Sequence, residues 1–214
     1  MLLEKGSKFV FIGDSITDYE RARPVGEGRG TDIGKSYVGI VDGMIAASDP
    51  SSRIRVINMG TSGNTVLDLK ARWDTDVMDL HPDWLSIYIG INDVWRQFDT
   101  PLMTEKHVSP QLFEETYRSL IERTLPTLKG LILVTPHFLE LNREDPMRKR
   151  MDEYGAIVKK LAKEYGAILV DTQAAFDEFL TYYHPGFINW DRIHPNTMGH
   201  CIIAKAFLKA LEVE

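Results

Sequence analysis

Short apolar runs alternate along the chain with longer stretches in which apolar residues return every three or four positions. Residues 9–12, 54–58, 84–89, 131–134 and 167–170 are strand-length and rich in Val and Ile. They are apolar almost throughout, as expected of strands covered on both faces in a parallel sheet. Between them, Val66, Leu69, Trp73, Val77 and Leu80 hold the helical period, with Asn64 as the expected N-cap. A later helix opens with Asp145 as N-cap and Pro146 at the first position; it runs through Met147, Met151, Tyr154, Val158, Leu161 and Tyr165 and stops at Gly166. Further helices are expected at about 35–47, 111–125, 173–182 and 198–211. Residues 18–34 and 94–110 read as long loops, which in a compact domain are usually functional. Five strands alternating with helices predict an α/β fold: a three-layer α/β/α sandwich on a five-stranded parallel sheet.

The 214 residues fit one domain spanning 1–214. A chain of that length buries about 70% of its extended surface, so its core needs no disulfide or metal. Cys201 is the only cysteine, which removes any intramolecular disulfide and any Cys-based zinc site. With 25 Lys and Arg against 31 Asp and Glu, the net charge is −6, which argues against a nucleic-acid partner. The N-terminus lacks the apolar stretch of a signal peptide, and no run approaches the ~20 residues that span a bilayer. The expectation is a cytoplasmic protein without a membrane partner.

Two glycine-rich stretches imitate nucleotide sites. Gly30-Thr-Asp-Ile-Gly34-Lys35-Ser36 is one residue short of a phosphate loop, and Gly26-Glu-Gly28-Arg-Gly30 has neither the spacing nor the leading strand of a dinucleotide turn. Both read better as flexible site or interface loop. Among the six histidines no pair has the i, i+4 spacing of a helical zinc site, so no metal is expected. No G-x-S-x-G elbow occurs.

The chemistry lies in four other segments. Gly13-Asp14-Ser15 follows the first strand, Gly60-Thr-Ser-Gly63-Asn64 the second and Gly90-Ile-Asn92-Asp93 the third, while Asp191-Arg-Ile-His194-Pro195 precedes the last helix. Ligands of open α/β sheets bind beyond the carboxyl ends of the strands, so the first three segments should converge. A serine hydroxyl needs a base to become a nucleophile, and His194 is the candidate for Ser15. Asp191 can fold back onto its imidazole; Asp14 and Asp171 compete for that role, but Asp14 adjoins the nucleophile and Asp171 has no adjacent histidine. The backbone N–H groups of Ser15 and Gly63 and the side-chain amide of Asn92 are candidate donors to an oxyanion. Taken singly, each segment could be a turn or a helix cap.

Together the segments resemble the SGNH (GDSL-type) hydrolase family. Phe11-Ile-Gly-Asp-Ser15 looks like its first block, Asn58-Met-Gly-Thr-Ser-Gly63-Asn its second, Gly90-Ile-Asn92-Asp93 its third and Asp191-Arg-Ile-His194-Pro195 its fifth. The third block has Ile91 where the family often has glycine. Gly13–Asp18, Asp68–Trp73, Gly90–Gln97 and Asp171–Phe176 read more closely like the bacterial cytoplasmic acetyl-xylooligosaccharide esterases of that family. The resemblance implies a flavodoxin-like sheet, removal of O-acetyl groups from short xylose oligomers, no cofactor, and homo-oligomerisation. Asp14, Tyr19, Arg21, Trp95, Arg96 and Trp190 flank the blocks and are candidate contacts to a small acetylated sugar, since aromatic faces stack on pyranose rings and Arg donates to hydroxyls. The rival readings are a lysophospholipase or acyl thioesterase of the same family, and a non-catalytic flavodoxin-like binding module.

Overall fold

The computed structural model describes residues 1–28 and 30–213. Arg29, within the Gly26–Gly30 stretch, lies outside the described residues. Five strands, β1 (Lys8–Gly13), β2 (Arg55–Gly60), β3 (Trp84–Tyr88), β4 (Gly130–Val134) and β5 (Ile168–Val170), form one parallel sheet in the order β2-β1-β3-β4-β5. Phe9, Val10, Phe11 and Ile12 are each fully buried, as the uninterrupted apolar run requires of a central strand.

The helices are α1 (Ser15–Asp18), α2 (Tyr37–Ser48), α3 (Val66–Ala71), α4 (Ile91–Asp99), α5 (Pro110–Thr124), α6 (Pro146–Tyr165), α7 (Thr172–Leu180) and α8 (Thr197–Ala210). A right-handed crossover that steps one way across the sheet puts its helix on one face; a step the other way puts it on the opposite face. The chain steps from β1 outward to β2, then reverses to β3, β4 and β5. Accordingly α2 packs with α8, and α8 with α7, while α3, α5, α6 and α4 form a second contacting group.

The reversal leaves a switch point between β1 and β3. Gly13 pairs with both Gly60 and Tyr88, so β1, β2 and β3 end level with one another. The segments that follow them are delivered side by side. At Gly60 the backbone of Asp18 comes so close that a Cβ would lie 2.2 Å from its nitrogen; only glycine lets α1 settle against β2.

Three expectations differ from the structure. The helix from Val66 stops at Ala71 and gives way to a π-helical turn at Asp74–Met78. Its N-cap is Thr65, in a capping box with Asp68, rather than Asn64. The first residues of the expected loop 94–110, up to Asp99, belong to α4, because Ile91, Val94, Trp95 and Phe98 already carry a short helical period.

Candidate active site

Ser15 opens α1, with Asp14 as the N-cap accepting from the Ile16 N–H (3.0 Å). Ser15 Oγ lies 3.0 Å from His194 Nε2, and His194 Nδ1 lies 2.8 Å from Asp191 Oδ2. An ionised carboxylate can only accept, so Nδ1 carries the ring proton and donates it to Asp191. Nε2 is left with a lone pair for the Ser15 hydroxyl. Asp191 Oδ1 accepts from the Ile193 and His194 N–H groups (2.8 and 3.0 Å), which curls Asp191-Arg-Ile-His194 into a tight turn. Burial pushes the Asp191 carboxyl up, but these three donors outweigh it and hold the group below the usual aspartate range. The turn is pinned to the segment after β4 by the Leu139 N–H donating to the Arg192 carbonyl (3.0 Å) and by an Arg192–Glu140 ion pair (2.6 Å).

The Gly60–Asn64 segment is held from both sides. Asp18, in α1, accepts from the Ser62 N–H (3.0 Å), the Ser62 hydroxyl (2.9 Å) and Arg23 Nη2 (2.6 Å). Ser62 is therefore committed to Asp18. Gly63 stands at φ +82°, where a side chain would be strained. Arg72 reaches in from the end of α3: Nε donates to Asn64 Oδ1 (2.7 Å), Nη1 to the Met59 carbonyl (2.7 Å) and Nη2 to the Gly13 carbonyl (2.9 Å). One guanidinium thus joins the ends of β1 and β2. Asn92, buried in the first turn of α4, donates from Nδ2 to the Asn64 carbonyl (3.0 Å) and accepts from Arg96 Nη2 on Oδ1 (3.1 Å). Asp93 turns inward and caps α3 by accepting from the Val66 N–H (3.0 Å). Burial pushes both Asp14 and Asp93 up to about 7.

The candidate sugar contacts divide. Trp95 and His194 pack T-shaped with ring centroids 5.9 Å apart, and the Arg96 guanidinium lies over the Trp95 ring at 4.5 Å. Trp190 is 87% exposed, on the segment leading into Asp191. Tyr19 borders the site, with its hydroxyl donating to the Pro195 carbonyl (2.9 Å) and its ring edge-on to His200. Arg21 is buried; its Nε donates to the Gly60 carbonyl (2.7 Å) and its Nη1 to the Ala22 and Pro24 carbonyls (3.0 and 2.7 Å). Asp14 is buried as a helix cap. Arg21 and Asp14 therefore face the protein, whereas Trp95 and Trp190 keep surface available. The rival acid Asp171 caps α7 and pairs with Lys159 (2.5 Å). Asp18 and Arg72 were not read from the sequence as site residues. Both lie inside the family-like stretches Gly13–Asp18 and Asp68–Trp73, which is the signal that could have found them. Among the described residues no cluster of three or more His, Cys, Asp or Glu is placed to hold a metal ion, and no helix is long and apolar enough to cross a membrane.

A parallel sheet in flavodoxin-like order, with a Ser-His-Asp chain and an amide-rich turn at its switch point, defines a class of α/β hydrolases. The chain belongs to the GDSL-like lipase/acylhydrolase family, whose model matches residues 11–202. It is 53% identical to an acetylxylan esterase of Geobacillus stearothermophilus, over 100% of this chain and 98% of that one. The crystal structure of that enzyme, Axe2, superposes with a TM-score of 0.99, and further structures of it include catalytic mutants in which a serine, an aspartate or a histidine is replaced by alanine. LAE5, an alpha/beta hydrolase from the metagenome of Lake Arreo, is 51% identical with a TM-score of 0.97, covering 100% of this chain and 98% of that one. A thioesterase 1/protease 1/lysophospholipase L1 of Escherichia coli K12 is 26% identical over 75% of this chain and 69% of its own length.

Proposed function

We propose that this protein is a serine esterase that removes O-acetyl groups from short xylose oligomers through an acetyl-enzyme. The observation that carries the reading is the unbroken chain Ser15 Oγ, His194 Nε2, His194 Nδ1, Asp191 Oδ2, with links of 3.0 and 2.8 Å. Ser15 attacks the acetyl carbonyl as His194 takes its proton, and Asp191 steadies the imidazolium. The tetrahedral oxyanion faces the Ser15 and Gly63 N–H groups and the Asn92 amide. His194 then protonates the departing sugar oxygen. Water enters, gives its proton to the same histidine and releases acetate, restoring Ser15.

The substrate class is supported by the full-length likeness to an enzyme described as an acetyl-xylooligosaccharide esterase. It is also supported by the aromatic surface of Trp95 beside His194. Short oligomers are small enough to be imported, which fits a cytoplasmic enzyme. The exposed Tyr182, Phe187 and Trp190 support assembly with further copies, which light scattering measures. The test of the function is acetate release from acetylated xylo-, cello- and chito-oligosaccharides, beside a p-nitrophenyl ester series. Fastest turnover on acetylated xylo-oligomers, with a steep fall beyond short acyl groups, is expected. Preference for long acyl chains or acyl thioesters would replace this reading with the lysophospholipase or thioesterase one.

A further inference from the structure

Arg96 stands one helical turn beyond Asn92 on α4. Its Nη2 donates to Asn92 Oδ1 (3.1 Å), while Asn92 Nδ2 donates to the Asn64 carbonyl (3.0 Å). A primary amide has two ends of nearly equal shape and opposite hydrogen-bonding character. A guanidinium, which only donates, meets one end; a carbonyl, which only accepts, meets the other. Turning the amide over would set N–H against N–H and oxygen against oxygen. We propose that Arg96 is a positioning residue for the esterase reaction: it locks the Asn92 amide with Nδ2 toward the oxyanion and strengthens that donor.

The inference rests on Asn92 being an oxyanion donor, as proposed above. Asn92 Nδ2 has a second N–H beyond the one given to Asn64, and a cation against Oδ1 draws electron density from the amide and makes that N–H a better donor. Arg96 is itself immobilised. Its guanidinium lies over the Trp95 ring at 4.5 Å, and its Nη1 is paired with Asp99. Both terminal nitrogens are thus engaged within the protein, which sets Arg96 apart from a free arm awaiting a sugar hydroxyl. The Trp95 and His194 rings meet in a T-shaped contact, centroids 5.9 Å apart, so this pair of neighbours on α4 packs beside both the base and the donor.

The experiment is a double-mutant cycle. Arg96→Met, Arg96→Leu and Arg96→Lys are made in the wild type and in Asn92→Ala, and assayed on p-nitrophenyl acetate and on an acetylated xylo-oligosaccharide. Arg96→Met is expected to lower kcat roughly tenfold on both substrates with KM changed less than about twofold, a fraction of what losing a whole oxyanion donor costs. Arg96→Lys should recover most of that, because an ammonium still donates to Oδ1. In the Asn92→Ala background Arg96→Met should change kcat no further, since the group it acts through is gone. An effect confined to KM on the oligosaccharide would make Arg96 a sugar ligand and overturn the proposal. An equal kcat loss in both backgrounds would overturn it in favour of a role in the fold. If Asn92→Ala itself left kcat intact, the oxyanion reading would fall first and take this one with it. If Arg96→Met does not fold, Arg96→Leu, which likewise lacks a donor, carries the same cycle.

Discussion

Replacing Asp191 with asparagine swaps one oxygen for an NH₂ group, and the structure fixes which one. Oδ1 accepts two backbone N–H groups, at 2.8 and 3.0 Å, and Oδ2 faces His194 Nδ1 at 2.8 Å. The amide oxygen of Asn must stay where the two N–H groups point, because turning it away would leave both unpaired at a cost of about 1 kcal/mol or more each. The NH₂ then faces Nδ1. The ring answers by moving its proton to Nε2, so that Nδ1 accepts. A protonated Nε2 cannot take the proton of Ser15. The geometry survives and the chemistry does not. A triad histidine forced into the wrong tautomer loses about 10⁴ in kcat, equivalent to ~5.5 kcal/mol of barrier. The assay is steady-state hydrolysis of p-nitrophenyl acetate, with ¹⁵N NMR of the His194 ring and a melting curve. Asp191→Asn should keep its Tm, show the proton on Nε2 and be nearly inert. Asp191→Ala should lose Tm as well, because the turn loses both backbone bonds. An Asn variant within tenfold of wild-type kcat, or an inert one with the proton still on Nδ1, would refute the reasoning.

Other consequences follow from the same geometry. Ser15→Ala should abolish turnover with Tm unchanged, since only a hydroxyl is removed; mass spectrometry after phosphonylation should find the label on Ser15 of the wild type, and a label on Ser62 instead would redirect the scheme. Asn92→Ala should cost about 10²–10³ in kcat with little change in KM, because its donor acts on charge that exists only after attack; unchanged kcat with a lowered Tm would remove it from the site. Asp93, pushed up to about 7 by burial, binds its proton more tightly folded than unfolded. Its sign is therefore the reverse of a salt-bridged aspartate: stability is lost as pH rises from about 4 to about 7 and the loss stays constant above, with an upper bound of about 4 kcal/mol. Asp93→Asn keeps the acceptor for Val66 and removes that dependence, so urea unfolding should show its stability relative to wild type climbing across this range; a pH-independent difference would refute the assignment.

Much of the fold was legible because its signals are local. Val- and Ile-rich runs, the 3.6-residue period and the Asp145-Pro146 start with its Gly166 stop each depend only on neighbouring residues, and the corresponding elements formed within a few residues of the expected bounds. The local reading failed where short signals competed. Asn64 and Thr65 are both good caps, and Thr65 won because Asp68 stands where it completes a capping box. The short period at 91–99 lies directly beside the turn at Gly90, whose loop signal masks it.

The sequence by itself determined the strands and most of the helices. It also determined the chemical kinds of side chain at the strand ends: a serine, an amide-bearing turn, an asparagine, and an Asp-x-x-His pair. The tertiary structure decided which polar groups line the candidate site and which face inward. Arg21 and Arg72 are both arginines beside family-like blocks, yet their donors go to the Gly60 and Pro24 carbonyls and to the Met59 and Gly13 carbonyls. Ser62 and Ser15 are both serines after strands, yet one belongs to Asp18 and the other to His194. Hydrophobic periodicity is written in adjacent residues and survives in one dimension. The partner of a buried donor is set by strand order and register, which bring together atoms tens to hundreds of residues apart, and in this chain that pairing separates the site from its scaffold.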